Sequence, residues 1–361
     1  MSGRRRYAAV AAVVATVVAA AIVLTVLLTR DSGPDVAVPQ EPATSAPTGT
    51  EPGPEPGRGP ALAPLTGLVA DADLDHPAVA VKVSDVPQAH PQLGVDRADI
   101  VFAEPIGVSY TRLLAVFHSD LPDLVGPVRS VRPMDAPLLG PMAPVFGNTM
   151  GAEWVLDYLD SVANVDSLGT LQVSGSDAYV IDAQRPRPDH VFAKPAVLLE
   201  LSEFTAAPAP YFSYAPDDEP SSAEAAGAPG ATVEVPYGSG WNVTWAYDGA
   251  TGRYLREQPW GEHTTADGVQ VSAVNVLVLY VESRIDKIGE GGGAPVPILQ
   301  FVDGSGEFAA MAGGHSVTGT WSKAGVNDPF EFRTDSGAEL HLSPGNTWVE
   351  LPAPGAAVAI L

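Results

Sequence analysis

Arginine supplies the most distinctive chemistry in this chain. Beyond Arg4, Arg5 and Arg6 it is scarce, yet Arg112, Arg129, Arg132, Arg185 and Arg187 fall in one stretch, beside His190. A guanidinium fork grips a carboxylate or phosphate through two parallel hydrogen bonds, which the point charge of lysine does not. Two duties are open to such a set. The arginines line a pocket for a phosphate, pyrophosphate or carboxylate, or each forms its own ion pair with Asp99, Glu104, Asp135 or Asp182. Arg129 and Arg132 lie three apart in GPVRSVRP. In an extended segment that spacing sends them to opposite faces, and in a turn it lets them converge. His190, after an Arg- and Pro-rich loop, and Asp99 are the candidates for moving a proton. His118, closing an apolar run, reads as a polar neighbour that is satisfied locally.

Composition narrows the chemistry further. With 19 basic against 43 acidic residues in 361, the formal net charge is -24, which argues against nucleic-acid binding because phosphate neutralisation needs surplus cations. The absence of cysteine excludes disulfides, thiolate nucleophiles, Cys-ligated metals and lipid-modified cysteine. No GxxxxGK, HExxH, GxSxG or GxGxxG motif is present, and neither a metal nor a cofactor is expected.

The elements that must position the arginines can be read from periodicity. Ala78–Val83, Ile100–Glu104, Arg112–His118 and Tyr179–Asp182 read as strands, and the apolar spacing in Glu153–Leu159 and in Lys194–Phe204 predicts helices. An α+β or α/β domain with a mixed sheet is therefore expected over 62–205. Residues 206–231, rich in Pro, Ala, Ser and Glu, read as a linker. From 232 to 361 the pattern is short runs split by Asp-Gly, Ser-Gly and Pro-Gly turns, which predicts a smaller, mostly antiparallel β domain. At the other end, the uncharged run Tyr7–Thr29 behind three arginines is long enough for a single transmembrane helix within an anchor segment 1–30. Residues 31–61 read as a Pro/Gly/Thr spacer. Membrane attachment through the N-terminal helix, with the folded part outside the cytoplasm, is the expectation.

The runs PQLG at 91–94, ADIVFAE at 98–104, TRLLAVF at 111–117 and GPVRSVR at 126–132, with GTW at 319–321 and GNTW at 345–348, resemble the YerB-like lipoprotein family of unknown function. The resemblance covers roughly 62–205 and 232–352 and implies a two-domain extracytoplasmic protein. Its members are often anchored through a lipidated cysteine, which this chain lacks, so the N-terminal helix would take that role. A weaker similarity is to the LytR-CpsA-Psr phosphotransferases, in which arginines grip a lipid pyrophosphate, with Ala98-Asp99-Ile100, Arg129 and Arg132 in comparable places. Two functions follow as expectations. One is a binding module for a wall component or envelope protein, using the arginines as its ligand surface. The other is an enzyme acting on a lipid-linked pyrophosphate or wall polymer.

Overall fold

The computed structural model describes residues 61–361 apart from 71–73, 107–109, 217, 239, 286–296 and 354. The expected membrane span and nearly all of the expected spacer lie outside the described residues. Among the described residues no helix is long and apolar enough to cross a membrane.

Residues 58–361 form one compact unit. Its frame is a mixed sheet containing β1 (Val79–Ser84), β2 (Ile100–Ile106), β3 (Tyr110–Phe117), β4 (Val145–Asn148) and β5 (Asp166–Gly169). A second, antiparallel sheet contains β6 (Thr232–Pro236), β7 (Asn242–Asp248) and β8 (Arg253–Gln258). The later strands β9 (Asn275–Leu279), β10 (Gly304–Ala312), β11 (His315–Lys323), β12 (Glu331–Thr334) and β13 (Thr347–Glu350) return to the first sheet. Its order is β12-β11-β10-β9-β13-β2-β3-β1-β4-β5. Six of these strands, β1, β2, β3, β4, β9 and β13, are buried almost end to end, as expected of strands covered on both faces.

The two expected domains thus share a sheet. β13, from the end of the chain, is inserted between β9 and β2 and is parallel to both. Within residues 206–231, expected as a linker, one part is packed against the body. Tyr211 and Phe212 are buried in the core, and the Tyr211 hydroxyl donates to Leu138 O at 3.1 Å. A Pro- and Ala-rich stretch reads as a spacer by composition, but two aromatic anchors are enough to fix it to the body.

One face of the large sheet is covered by α1 (Asp135–Leu139), α2 (Glu153–Val162) and the Tyr211–Phe212 segment, through Phe102, Leu114, Phe146, Leu138 and Leu159. The opposite face meets the antiparallel sheet through Val101, Ala103, Trp348, Val243, Trp245 and Tyr254. The mixed-sheet first half and the β-rich second half agree with the expectation.

Candidate functional site

Strand direction decides where the polar groups gather. β1, β4 and β5 are mutually parallel, as are β2, β13 and β9, and β3 runs antiparallel to both β1 and β2. The carboxyl ends of β1, β2, β4 and β13 therefore share one edge with the amino end of β3. In open α/β sheets this edge is where ligands bind. The two-residue alternation along each strand then sorts the side chains into two buried clusters, back to back.

On the α1 face lie Lys82, Glu104 and Arg112. Arg112 is the cross-strand partner of both Ser84 and Glu104. Lys82 has no exposed surface; it donates to Glu104 Oε2, and to Asp135 Oδ1 at 2.6 Å. Burial and the neighbouring Asp135 push the Glu104 carboxyl up to about 8, against the opposing pull of Lys82. Segment 126–133 crosses this edge as an irregular extension of the sheet. Arg129 N donates to Lys82 O at 2.8 Å, Thr149 N to Arg129 O at 3.0 Å and Val131 N to Met150 O at 2.9 Å. Arg132 N is held by Asp135 Oδ2 at 2.6 Å.

This path resolves the spacing of Arg129 and Arg132: the segment turns, and both side chains join Arg112. The Arg112 guanidinium donates to Ser130 O at 3.0 Å. Burial first, then the fields of Arg132 and Arg129, bring its pKa down to about 9. Burial likewise lowers Arg132, opposed by Asp135 and Glu104. In all three arginines the Nε–H is buried without a hydrogen-bond partner. The nearest carboxylate to Arg129 is Asp189, at a loose 3.8 Å. Met150 at this edge has a φ of 71°, a conformation uncommon for a non-glycine residue, and its amide is fixed by Asn148 Oδ1 at 2.8 Å. Three guanidinium groups thus keep unused donors while crowded by like charge.

The other candidates lie elsewhere or do other work. Arg185 is a strap: it donates to Ala89 O and Pro91 O at 3.0 and 2.5 Å, approaches Asp182 at 3.5 Å and covers the Phe192 ring at 5.1 Å. Arg187 is exposed on the same loop. His190 follows Asp189 directly, and its ring Nδ1 is buried without a partner. Asp99 caps the amino end of β2, the far end of that strand from Glu104. There it accepts from His118 N at 2.6 Å, from Ser119 N at 2.8 Å and from the Ser119 hydroxyl. Five residues of strand, about 16 Å, separate it from Glu104.

The opposite face carries a cluster that the sequence did not announce. Arg256, fully buried, lies 3.3 Å from Asp85 and 3.6 Å from Glu350. Burial works against both charges, yet the guanidinium beside Asp85 holds that carboxyl well below its usual range, and the two carboxylates hold Arg256 above its own. Glu350 also accepts from Tyr237 at 2.5 Å and Trp245 at 2.8 Å. Asp85, His90 and His263 offer ligand atoms within 4.8 Å of one another. They do not make a cation seat. His263 Nδ1 accepts from Arg256 at 2.8 Å and Nε2 meets Gln92 Oε1 at 2.6 Å, so both ring nitrogens are engaged, with a fixed positive charge alongside. Burial and Arg256 keep His263 neutral by lowering its pKa well below the ordinary value. The signal for both clusters was a charge inside an apolar strand: Lys82 in AVAVKV and Glu350 in TWVEL.

A two-sheet body of this construction is shared with known proteins. Residues 65–207 match the family model described as "Protein of unknown function (DUF3048) N-terminal domain", and 233–349 match its C-terminal domain. The chain belongs to this two-domain family, as the GPVRSVR and GNTW runs implied. One relative is "Putative lipoprotein YerB" of Bacillus subtilis (strain 168), 27% identical over 300 residues, which span 80% of this chain and 85% of that protein. The crystal structure of YerB from Bacillus subtilis superposes with a TM-score of 0.69 at 24% identity, covering 83% of this chain and 99% of that one. The fold is shared.

Proposed function

We propose that this chain is an extracytoplasmic, envelope-associated binding module. In this reading Arg112, Arg129 and Arg132 receive a phosphate, pyrophosphate or carboxylate group carried by a wall component or an envelope protein. The observation behind it is the set of three Nε–H donors, buried and unpartnered, at the carboxyl edge of the parallel strands. The envelope location draws on the uncharged run Tyr7–Thr29 and on the lipoprotein name of the relative from Bacillus subtilis. Binding fits the site better than catalysis, because Glu104 and Asp135 are both committed to Lys82 and Asp99 lies at the far end of β2.

Titration calorimetry of the full chain with a pyrophosphate-bearing polyprenyl lipid tests the proposal. Arg129→Ala should weaken binding about tenfold or more, the loss of one or two charge-assisted hydrogen bonds. Binding that Arg129→Ala and Arg132→Ala both leave unchanged removes the anion site.

A further inference from the structure

The same edge of the sheet carries a second feature. At the start of β3, three aromatic rings run in a row: Tyr110 to Trp241 at 5.0 Å between centroids, then Trp241 to Trp260 at 5.1 Å. Tyr110 is 46% exposed and Trp260 43%, whereas Trp241 between them is 5% exposed. The rings are tilted by 78° and 57° to one another, so they form steps and not one flat plate. The row is held from behind. The His90 ring contacts Trp260 at 4.9 Å, and His90 is fixed by Asp85 at 3.2 Å. The next residue from Tyr110, Thr111, is also tied to Asp85, at 2.6 Å. Trp241 Nε1–H is buried and has no acceptor. Two large aromatics left half open on a rigid support, with an unspent donor between them, lack an explanation in packing alone.

We infer that Tyr110 and Trp260, braced by the buried Trp241 between them, form a saccharide-stacking subsite near the arginine trio. The chemistry of the rings selects the occupant. A pyranose ring offers an apolar C–H face to an aromatic ring and a polar rim to solvent and to stray donors. Successive sugars of a linear glycan turn relative to one another, as these steps do. Position ties the two subsites together. Tyr110 lies two residues before Arg112 on β3, about 7 Å along the strand, so the two subsites would lie near one another at this edge. This inference rests on the proposed anion site for the identity of the whole ligand, but the stacking subsite stands or falls separately.

The test uses an uncharged probe, a β-1,4-linked N-acetylglucosamine tetramer, titrated calorimetrically into the full chain, with inorganic pyrophosphate in a parallel titration. The native protein should bind the tetramer. Trp260→Ala and Tyr110→Ala should each weaken that binding about tenfold while leaving pyrophosphate binding intact. Both side chains are half exposed, so neither change should unfold the protein, and circular dichroism checks that. Arg129→Ala should do the reverse. No binding of the tetramer by the native chain overturns the inference, as does equal binding by Trp260→Ala. Binding of an apolar peptide without the sugar, lost in Trp260→Ala, assigns the rings to a protein partner and also overturns it. If pyrophosphate fails to bind while the tetramer binds, the anion site is lost and the stacking subsite survives.

Discussion

Arg256 Nη2 lies 3.3 Å from Asp85 Oδ2 across 171 residues of sequence, with neither side chain exposed. The contact joins the small antiparallel sheet to the end of β1, and through Glu350 the same guanidinium reaches β13. It also lies against the rings of Trp348 and Trp245, at 4.9 and 5.9 Å. Removing it leaves two buried carboxylates with no cation between them. Arg256→Ala should therefore cost about 3–5 kcal/mol. Because the halves share this network and one sheet, urea unfolding followed by tryptophan fluorescence should show a single transition moved to lower denaturant. Two separated transitions, in the native protein or the variant, would contradict the shared core.

The pH dependence of stability should carry two opposed limbs. Burial and Asp135 push Glu104 up to about 8, so the folded chain holds a proton that the unfolded chain releases near the ordinary glutamate value of 4.5. Stability is then lost as pH rises through that window. His263 behaves oppositely. Its folded pKa is well below 6.5, so below that value the unfolded chain takes up a proton that the folded chain refuses, and stability is lost as pH falls. Denaturant midpoints across the range should show the alkaline limb flattened in Glu104→Gln and the acid limb flattened in His263→Gln. A native-like alkaline slope in Glu104→Gln would mean that another group carries it.

The arginine trio should trade stability for binding. Arg129 and Arg132 raise the positive field at Arg112, and the Asp189 contact of Arg129 is long at 3.8 Å. Arg129→Gln relieves like-charge crowding at little cost in pairing, so its melting temperature should equal or exceed that of the native protein while pyrophosphate binding falls. A clear loss of thermal stability would instead identify Arg129 as a structural ion pair with Asp189.

What could be read from the sequence follows from how each element advertises itself. β1, β2, β3, β7, β9 and β13 carry β-branched or aromatic runs bounded by turns, and they are strands close to where those signals fall. β10 is nine residues long and carries no such signal, because GSGEFAAMA is rich in glycine and alanine. Close packing demands that composition. A Cβ on Gly306 would sit 2.3 Å from Tyr280 O, and one on Gly319 in the paired β11 2.1 Å from Arg333 O. Among the site residues, Arg112, Arg129 and Arg132 stand out by type and spacing. Arg185 carries the same signal but works as a loop strap, since a guanidinium serves backbone carbonyls as readily as phosphates. Lys82 and Asp135 are 53 residues apart, and Asp85 is joined to Arg256 only by tertiary folding, so no local pattern connects them.

Asp99 offers the cleanest separation of fold from site. Its carboxylate takes the amides of His118 and Ser119 at 2.6 and 2.8 Å, and its backbone carbonyl accepts from Thr347 N at 2.9 Å, so it ties the end of β3 and the start of β13 to the start of β2. Burial raises its pKa against the opposing pull of these hydrogen bonds. Asp99→Ala strips the acceptor from two amides in a buried setting, which should cost about 2–3 kcal/mol. Asp99→Asn keeps one acceptor oxygen and should cost less. Pyrophosphate binding, measured below the melting temperature of each variant, should match that of the native protein, since about 16 Å of strand separates Asp99 from Glu104. Lost binding in a fully folded Asp99→Asn variant would return this carboxylate to the functional site.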